Sequence, residues 1–266
     1  MGVKIILSDI DGTFLTDDKK VTDLTAQAAK SIVDKGLYLV LVSARMPEAI
    51  YPITDGIGLP RMPVISYGGG FVLTENEEVL HDKKMPLDDT KNILAAFNRW
   101  QNISINYYSG RRWYVNAIDE NIQHEMDITQ ATAEIADFEK LLEEKIIPNK
   151  IMIICEPPTC KEMETELGKM FPRLNVVRSA PYLLEIMDKS VSKAVGIEIL
   201  LNHYNISVDE AVAFGDNYND LEMLEYIPRS VAMKNAPEKV KKIAREVTDS
   251  NADSGIYTYL LKNGII

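Results

Sequence analysis

The most informative stretch of this sequence is Val3-Lys4-Ile5-Ile6-Leu7-Ser8-Asp9-Ile10-Asp11-Gly12-Thr13. Its first half is an apolar, β-branched run that ends in a glycine turn, which is typical of a buried parallel strand. Open α/β sheets bind their ligands at the carboxyl ends of such strands, and alternation predicts that Asp9 and Asp11 point to the same side. Two carboxylates at this place indicate phosphoryl chemistry. A polar turn explains the same residue types, so the motif needs partners elsewhere in the chain.

Length and composition indicate a folded protein of one large or two modest domains. The chain has 266 residues, of which 46% are hydrophobic, enough to bury a full core. Its longest apolar runs, such as residues 37–42, are far shorter than the roughly 18 residues of a membrane span. The first apolar run meets Asp9 before a secretory signal is complete. We therefore expect a cytoplasmic protein without a membrane partner.

The charge balance narrows the class of ligand. A formal net charge of -11 argues against nucleic acid as a partner, because phosphate backbones demand clustered Lys and Arg. An acidic protein that binds anionic phosphate has to neutralise it locally, with a metal and a few cations. The two cysteines, Cys155 and Cys160, have neither zinc-site nor redox spacing, so we predict free thiols.

Both ends of the chain follow a βαβ order, which predicts an α/β fold with a parallel sheet. We expect strands at 3–7, 37–42, 64–66, 211–214 and 230–233, and helices at 22–35 and 192–204. Between them the pattern changes to helices alternating with strand pairs. We expect a hairpin of 103–108 and 112–117 joined across Ser109 and Gly110, strands at 150–155, 174–178 and 182–187, and helices at 88–101, 118–130, 138–144 and 161–170. The sequence thus predicts a core of 1–83 and 188–266 with an inserted α+β domain, 84–187.

Three further features lie at predicted carboxyl ends of strands or at the start of a helix. Ser43 offers a hydroxyl to an anion, although a helix cap explains it equally well. Lys193 lies in a first helical turn, where the helix dipole disfavours a cation, although most lysines are solvated. The segment Gly215–Asp220 supplies a second acidic cluster, and carboxylate oxygens are the ligands that Mg²⁺ prefers.

In this order, Asp9–Thr13, Ser43, Lys193 and Gly215–Asp220 resemble the four motifs of the haloacid dehalogenase superfamily. The insert between the second and third motifs resembles the C2-type (C2B) cap of its Cof-type sugar-phosphatase branch, and residues 231–237 and 247–251 resemble the tail of that branch. The resemblance implies a Rossmann-like parallel-sheet core and a cap domain that determines substrate specificity.

Carried over position by position, the resemblance also implies the roles of individual residues. Asp9 is the expected nucleophile and Asp11 the general acid and base, which needs a pKa raised toward the working pH. Ser43 and Lys193 are expected to hold the phosphoryl oxygens. The expected ligands of Mg²⁺ are Asp9, the backbone carbonyl of Asp11, and Asp216, oriented by Asn219 and Asp220. The expected substrate contacts in the core are Gly12, Thr13, Ala44, Arg45, Gly69 and Asn235. In the cap, Arg111 and Trp113 are expected contacts because their hairpin combines aromatic faces and cations, which suit sugar or phosphate recognition. Packing of alternate residues into the cap's own sheet, with the arginines in solvent, explains the same pattern.

The chain departs from the branch at a few positions. Ser43 and Ala44 stand where Thr and Gly are usual, and the hydroxyl survives. Gly68 stands where Asn is usual, so an amide that could touch substrate is missing. Lys234 replaces a Gly beside Asn235 and adds a cation.

The sequence therefore predicts a Mg²⁺-dependent phosphatase of small phosphorylated metabolites, with sugar phosphates favoured by the resemblance. A phosphomutase that passes the phosphoryl group to another hydroxyl is the first alternative. A receiver-like module that is phosphorylated on Asp without turnover is the second. We expect hinges of cap closure near 83–86 and 187–190, and the sequence leaves the oligomeric state open.

Overall fold

The computed structural model describes residues 2–266, which form two compact units. The first unit combines the chain up to His81 with Ser192–Ile266, and the second comprises Asp82–Val191. The strands are β1 (Ile5–Ser8), β2 (Tyr38–Val42), β3 (Val64–Ser66), β4 (Phe71–Leu73), β5 (Val79–Asp82), β6 (Ser104–Ser109), β7 (Arg112–Val115), β8 (Ala133–Ile135), β9 (Lys150–Ile154), β10 (Leu174–Ala180), β11 (Leu183–Asp188), β12 (Ala211–Gly215), β13 (Ser230–Ala232) and β14 (Glu246–Val247). The helices are α1 (Asp23–Asp34), α2 (Tyr51–Asp55), α3 (Leu87–Phe97), α4 (Glu120–Thr129), α5 (Phe138–Glu143), α6 (Pro157–Met170), α7 (Lys193–Tyr204), α8 (Leu221–Tyr226), α9 (Glu238–Ile243) and α10 (Gly255–Lys262).

The first unit is built on an eight-stranded sheet in the order β14-β13-β12-β1-β2-β3-β4-β5. The strands from β14 to β3 are parallel, and β4 is antiparallel to β3. All four residues of β1 are buried, as expected for a central parallel strand whose two faces are both covered. Because β12, β1 and β2 are parallel neighbours, the segments that follow these three strands all begin at the carboxyl edge of the sheet.

Local signals set the ends of the helices in this unit. Thr22 caps α1 by accepting a hydrogen bond from the backbone N–H of Thr25, and Gly36 just beyond it has a φ of 71°. Ser192 caps α7 in the same way, accepting from Val195. Helix α7 therefore begins at Lys193, one residue after the predicted start, and Lys193 occupies its first position.

The second unit has a six-stranded sheet in the order β10-β11-β9-β6-β7-β8, antiparallel except for the parallel pair β7 and β8. Alternate residues such as Tyr107, Ile151 and Ile186 join the apolar cluster that also contains buried residues of α3, α5 and α6. Ser109 pairs with Arg112, so the hairpin turn consists of Gly110 and Arg111 and not of Ser109 and Gly110 as predicted. The prediction was wrong because β6 runs one residue further than the apolar pattern indicates.

Other differences from the expected elements have equally local causes. Helix α6 begins at Pro157, four residues earlier than expected, since proline fits a first helical turn. The strands β4, β5 and β8 have three or four residues, too few to show a period. No helix among residues 2–266 is long and apolar enough to cross a membrane.

The segments expected as hinges belong to the second unit. The amide of Asn149 donates to Asp82 Oδ1 at 2.7 Å and to the carbonyl of Lys83 at 2.8 Å. Its oxygen accepts from Lys84 Nζ at 2.9 Å and from the backbone N–H of Gly110 at 2.7 Å. One buried amide thus ties residues 82–84 to the turn of the β6–β7 hairpin.

Candidate active site

A buried lysine links two carboxylates at the carboxyl edge of the parallel sheet. Asp9 follows β1, and its backbone N–H donates to the carbonyl of Phe214 in β12 at 3.0 Å. Lys193 Nζ donates to Asp9 Oδ1 and, at 2.6 Å, to Asp220 Oδ1. Asp9 is 5% exposed, Lys193 3% and Asp220 0%. The structure thus brings together three residues that are up to 211 positions apart.

The electrostatics of this group favour an ionised lysine and disfavour an ionised Asp9. Burial raises the pKa of Asp9 well above its ordinary value, and Asp220 adds to the effect, while Lys193 opposes it. Burial alone would lower the pKa of Lys193, but Asp220 and Asp9 outweigh it, so the pKa is raised. Lys193 therefore keeps its charge next to the carboxylate of Asp9.

Asp220 uses its second oxygen to shape the loop after β12. Its Oδ2 accepts from the backbone N–H groups of Asp216 and Asn217, both at 2.9 Å. A Cβ at Gly215 would lie 2.7 Å from the Cβ of Asp220, so the Asp220 side chain can approach the backbone at position 215 this closely only because that residue is glycine. Asp220 orients both Lys193 and Asp216, whereas Asn219 is exposed on the same turn.

The carboxylates of this edge fit a metal ion. Carboxylate oxygens of Asp9, Asp216 and Asp220 lie within 4.8 Å of one another. Burial raises the pKa of Asp216 to about 6. The hydrogen bond from Thr13 opposes this shift only in part, and the negative charge of Asp220 adds to it. When they are ionised, the three carboxylates carry more negative charge than Lys193 balances, and a hard divalent cation would stabilise their ionised forms.

Gly12 and Thr13 contact Asp216. Gly12 has a φ of 90°, and a Cβ there would overlap the Asp216 carboxylate. Thr13 is buried, and its Oγ1 donates to Asp216 Oδ1 at 2.7 Å. The side chain of Thr13, predicted as a substrate contact, therefore positions Asp216.

Asp11 is held by two cations, one of which the sequence did not indicate. Arg45 donates to it through Nε at 3.0 Å and Nη2 at 2.7 Å, and Lys19 Nζ donates at 2.7 Å. Burial alone would raise the pKa of Asp11, but Arg45 and Lys19 outweigh it and lower the pKa to about 2. The expected raised pKa is therefore not found in this structure. Lys19 reaches the site from a turn where its φ is 59°, and no local sequence signal announces this.

Ser43 forms the turn that directs Arg45. It is buried, and its Oγ accepts from the backbone N–H of Arg45 at 3.2 Å. Its own N–H donates to the carbonyl of Ile65 at 2.9 Å, and its carbonyl accepts from Gly68 at 2.8 Å. Ala44 is half-buried between them. The hydroxyl thus lies at the predicted edge and organises the backbone there.

Gly69, predicted as a substrate contact, is buried and closely packed. Its φ is 108°, and a Cβ there would overlap the backbone carbonyl of Ser192, directly before Lys193. The close approach seats the start of α7 against the segment after β3. Gly68 has a φ of 63° and a ψ of 22°, a left-handed conformation that Asn and Gly share, which explains how Gly can stand where the branch has Asn.

The other three predicted substrate contacts are Asn235, Trp113 and Arg111, and each has a different environment. The amide of Asn235 donates to the carbonyl of Gly12 at 2.9 Å, so it supports the loop after β1. Trp113 is 1% exposed, stacks on Tyr108 and donates to Asn106 Oδ1 at 2.9 Å, which are the contacts of a packed interior residue. The substrate role of Trp113 is therefore corrected. Arg111 is exposed in the hairpin turn of the second unit.

Cys155 and Cys160 are both free and buried, as predicted. Burial raises the pKa of the Cys155 thiol to about 12, and that of Cys160 is raised as well. Neither is a reactive thiolate at neutral pH.

Comparison with known proteins identifies the family. A sequence profile of the haloacid dehalogenase-like hydrolases matches residues 6–260. A curated protein of Haemophilus influenzae, named "Putative phosphatase", is 30% identical over 257 residues, which cover 96% of each chain. Among solved structures, TM0651 of Thermotoga maritima is 28% identical with a TM-score of 0.87, covering 98% of this chain and 97% of that one. A haloacid dehalogenase-like hydrolase of Bacteroides thetaiotaomicron is 27% identical with a TM-score of 0.87, covering 98% of this chain and 99% of that one.

These likenesses span nearly the whole sequence. They confirm the predicted fold class and the prediction of an enzyme. The chain belongs to the haloacid dehalogenase-like hydrolases, in their Cof-type branch.

Proposed function

We propose that this protein is a Mg²⁺-dependent phosphatase that hydrolyses phosphate monoesters of small metabolites through a phosphorylated Asp9. The observation that carries the proposal is the contact of Asp9 Oδ1 with the buried, charged Lys193, beside the carboxylates of Asp216 and Asp220. A carboxylate attacks an anionic ester only where nearby positive charge offsets the repulsion, and this edge of the sheet provides such a place.

The first step transfers the phosphoryl group to the protein. Asp9 Oδ forms a bond to phosphorus while the bond to the ester oxygen breaks, and Lys193 stabilises the charge on the phosphoryl oxygens. Asp11 gives its proton to the departing alkoxide. In the second step Asp11 takes a proton from water, which attacks phosphorus, releases inorganic phosphate and restores Asp9.

Asp11 must first be released from its two cations. Arg45 and Lys19 hold it ionised, and an ionised carboxylate has no proton to donate. We infer that phosphate oxygens of the substrate attract the guanidinium of Arg45, which weakens its hold on Asp11 and lets the pKa of Asp11 rise.

The metal would be held by Asp9, Asp216 and the backbone carbonyl of Asp11. A Mg²⁺ ion held there would offset negative charge on the phosphoryl group and on the carboxylates. Asp220 would orient Asp216 through its backbone N–H, as it does in this structure.

The preference for sugar phosphates rests on the resemblance to the Cof-type branch, and a phosphatase is also what the name of the Haemophilus influenzae relative describes. Arg111 is the candidate for recognising the leaving group among the predicted residues of the second unit. Trp113 is not, because it is packed inside.

The test is phosphate release from a generic aryl phosphate and from a panel of sugar, nucleotide and cofactor phosphates, with Mg²⁺ or with EDTA. We expect activity that needs Mg²⁺ and is abolished in Asp9→Asn. Asp34→Asn, an exposed carboxylate at the end of α1, is the matched control and should keep full activity. Retained activity of Asp9→Asn would contradict the mechanism.

Product analysis separates the alternatives. A phosphomutase would conserve the phosphoester and release no phosphate, and a receiver-like module would keep a phosphorylated Asp9 for minutes without turnover. A crystal soaked with a metal fluoride should show the ligand at Asp9 Oδ, and a ligand elsewhere would refute the proposal.

A further inference from the structure

Two asparagines from separate loops converge on the segment that follows β1. Asn251, before α10, is 6% exposed, and its amide donates to the carbonyl of Leu15 at 3.0 Å and to Asp17 Oδ1 at 3.2 Å. Its backbone N–H donates to Asn235 Oδ1 at 3.1 Å. Asn235 in turn donates to the carbonyl of Gly12 at 2.9 Å. The amides thus hold this segment at both ends, at Gly12 and at Leu15.

The segment between these anchor points contacts Asp216, one of the carboxylates that would hold the metal. The backbone of Gly12 lies against the Asp216 carboxylate so closely that a Cβ would overlap it. Thr13 donates to Asp216 Oδ1. Gly12 also follows Asp11 directly, so the peptide that Asn235 holds adjoins the backbone carbonyl of Asp11. A displacement of Gly12 would therefore move both the Asp216 carboxylate and the backbone carbonyl of Asp11.

A second contact shows that the C-terminal segment is attached at the far end of the same loop. Thr22 Oγ1, at the cap of α1, lies 2.6 Å from Ser254 Oγ. Bonds within the loop join Leu15 to Ile10 and Thr16 to Lys20. The loop is therefore compact, and amide and hydroxyl groups connect it to the C-terminal part of the chain.

We propose that Asn251 and Asn235 are positioning residues that set the metal affinity of this site by fixing the Gly12 peptide. They touch neither the reacting atoms nor the carboxylates themselves. The amide of Asn235 holds the carbonyl of Gly12, and Asn251 holds both Asn235 and the loop beyond it. Groups that hydrogen-bond a metal ligand directly typically contribute about 10- to 100-fold to metal affinity, and Asn235 acts one peptide away from the carbonyl of Asp11. The inference rests on the proposed Mg²⁺ site.

The test measures Mg²⁺ binding to the substrate-free protein by calorimetry, together with kcat and KM. Asn235→Asp keeps the acceptor for Asn251 but loses the donor to Gly12. We expect its Mg²⁺ dissociation constant to rise about tenfold or more, with a lower kcat at subsaturating Mg²⁺ and a substrate KM close to wild type. Asn251→Asp loses both amide donors and should weaken Mg²⁺ binding as well.

Asn263→Asp is the matched control. The Asn263 amide donates to the carbonyl of Tyr259 at 2.9 Å at the end of α10, and this hydrogen bond does not involve the loop that contains Gly12. It should bind Mg²⁺ as wild type does, whatever stability it loses. Asn235 is exposed, so Asn235→Asp remains informative if Asn251→Asp fails to fold.

The outcomes separate this inference from the proposed function. Wild-type Mg²⁺ affinity in Asn235→Asp, or equal weakening in Asn263→Asp, would overturn the positioning role and leave the phosphatase intact. A wild-type protein that binds no Mg²⁺ would overturn both.

Discussion

Replacing Asp216 by Asn should stabilise the metal-free protein at neutral pH and remove its response to Mg²⁺. Burial raises the pKa of Asp216 to about 6, against about 3.9 for Asp in an unfolded chain. The folded protein therefore holds this proton more tightly than the unfolded chain does. The group contributes stability below about pH 4, and that contribution is lost as the pH rises through about 6.

The size of the effect follows from the same two pKa values. At about pH 7.5 the ionised carboxylate costs about 3 kcal/mol relative to a neutral side chain, and at about pH 4.5 it costs about 1 kcal/mol. Asn has nearly the same shape and can still accept the hydrogen bond of Thr13, so little packing is lost. The expected gain in unfolding free energy thus grows with pH.

The assay is urea unfolding of wild type and Asp216→Asn in EDTA across this pH range, repeated with saturating Mg²⁺. Mg²⁺ at 100 times its dissociation constant should add about 2.7 kcal/mol to the wild type and nothing to the variant. Asp34→Asn, on the surface, should change neither quantity. A variant that is no more stable than wild type at about pH 7.5, or equally more stable at both pH values, would refute the electrostatic reasoning.

Three further outcomes test other parts of the structure. Gly69→Ala should lower the unfolding free energy by about 3 kcal/mol or more and reduce activity, since a Cβ at a φ of 108° overlaps the carbonyl of Ser192; thermal unfolding and kcat measure this. Arg45→Gln should raise the pKa of Asp11 from about 2 toward its ordinary value, followed by the carboxyl ¹³C shift in an NMR titration, and an unchanged pKa would contradict the ion pair. Asn149→Leu should lower the unfolding free energy by about 2–4 kcal/mol, because it removes the four hydrogen bonds of the Asn149 side chain, and hydrogen exchange should speed up at Gly110.

Much of the chemistry at the site could be predicted from local patterns. An apolar run followed by Asp9 and Asp11 reveals a strand and its carboxyl end, and so does Ala211–Phe214 before Gly215. Caps are also local, since Thr22 and Ser192 precede helical segments and accept hydrogen bonds from backbone N–H groups three residues further along the chain. The order of these motifs then identified the family.

The prediction failed where a residue's role depends on what lies opposite it in space. Trp113 belongs to an aromatic and cationic hairpin, and strand alternation alone did not tell which face is packed. Gly69 was carried over from the family resemblance as a substrate contact, and no local pattern indicated its close packing against Ser192, far along the chain. Lys19 gave no signal, because a lysine in a polar turn is the commonest of surface residues.

The sequence by itself determined the parallel-sheet core, the position of the carboxylates proposed as catalytic and the helix that carries Lys193 in its first turn, because strands, caps and motifs are encoded in neighbouring residues. Only the tertiary structure decided how charge is distributed among them. Asp11 is held ionised by Arg45 and Lys19, whereas Asp9 and Asp216 resist ionisation, and each pKa depends on burial and on charges that folding brings within a few ångströms. Such distances join residues that are remote along the chain, so no local pattern contains them.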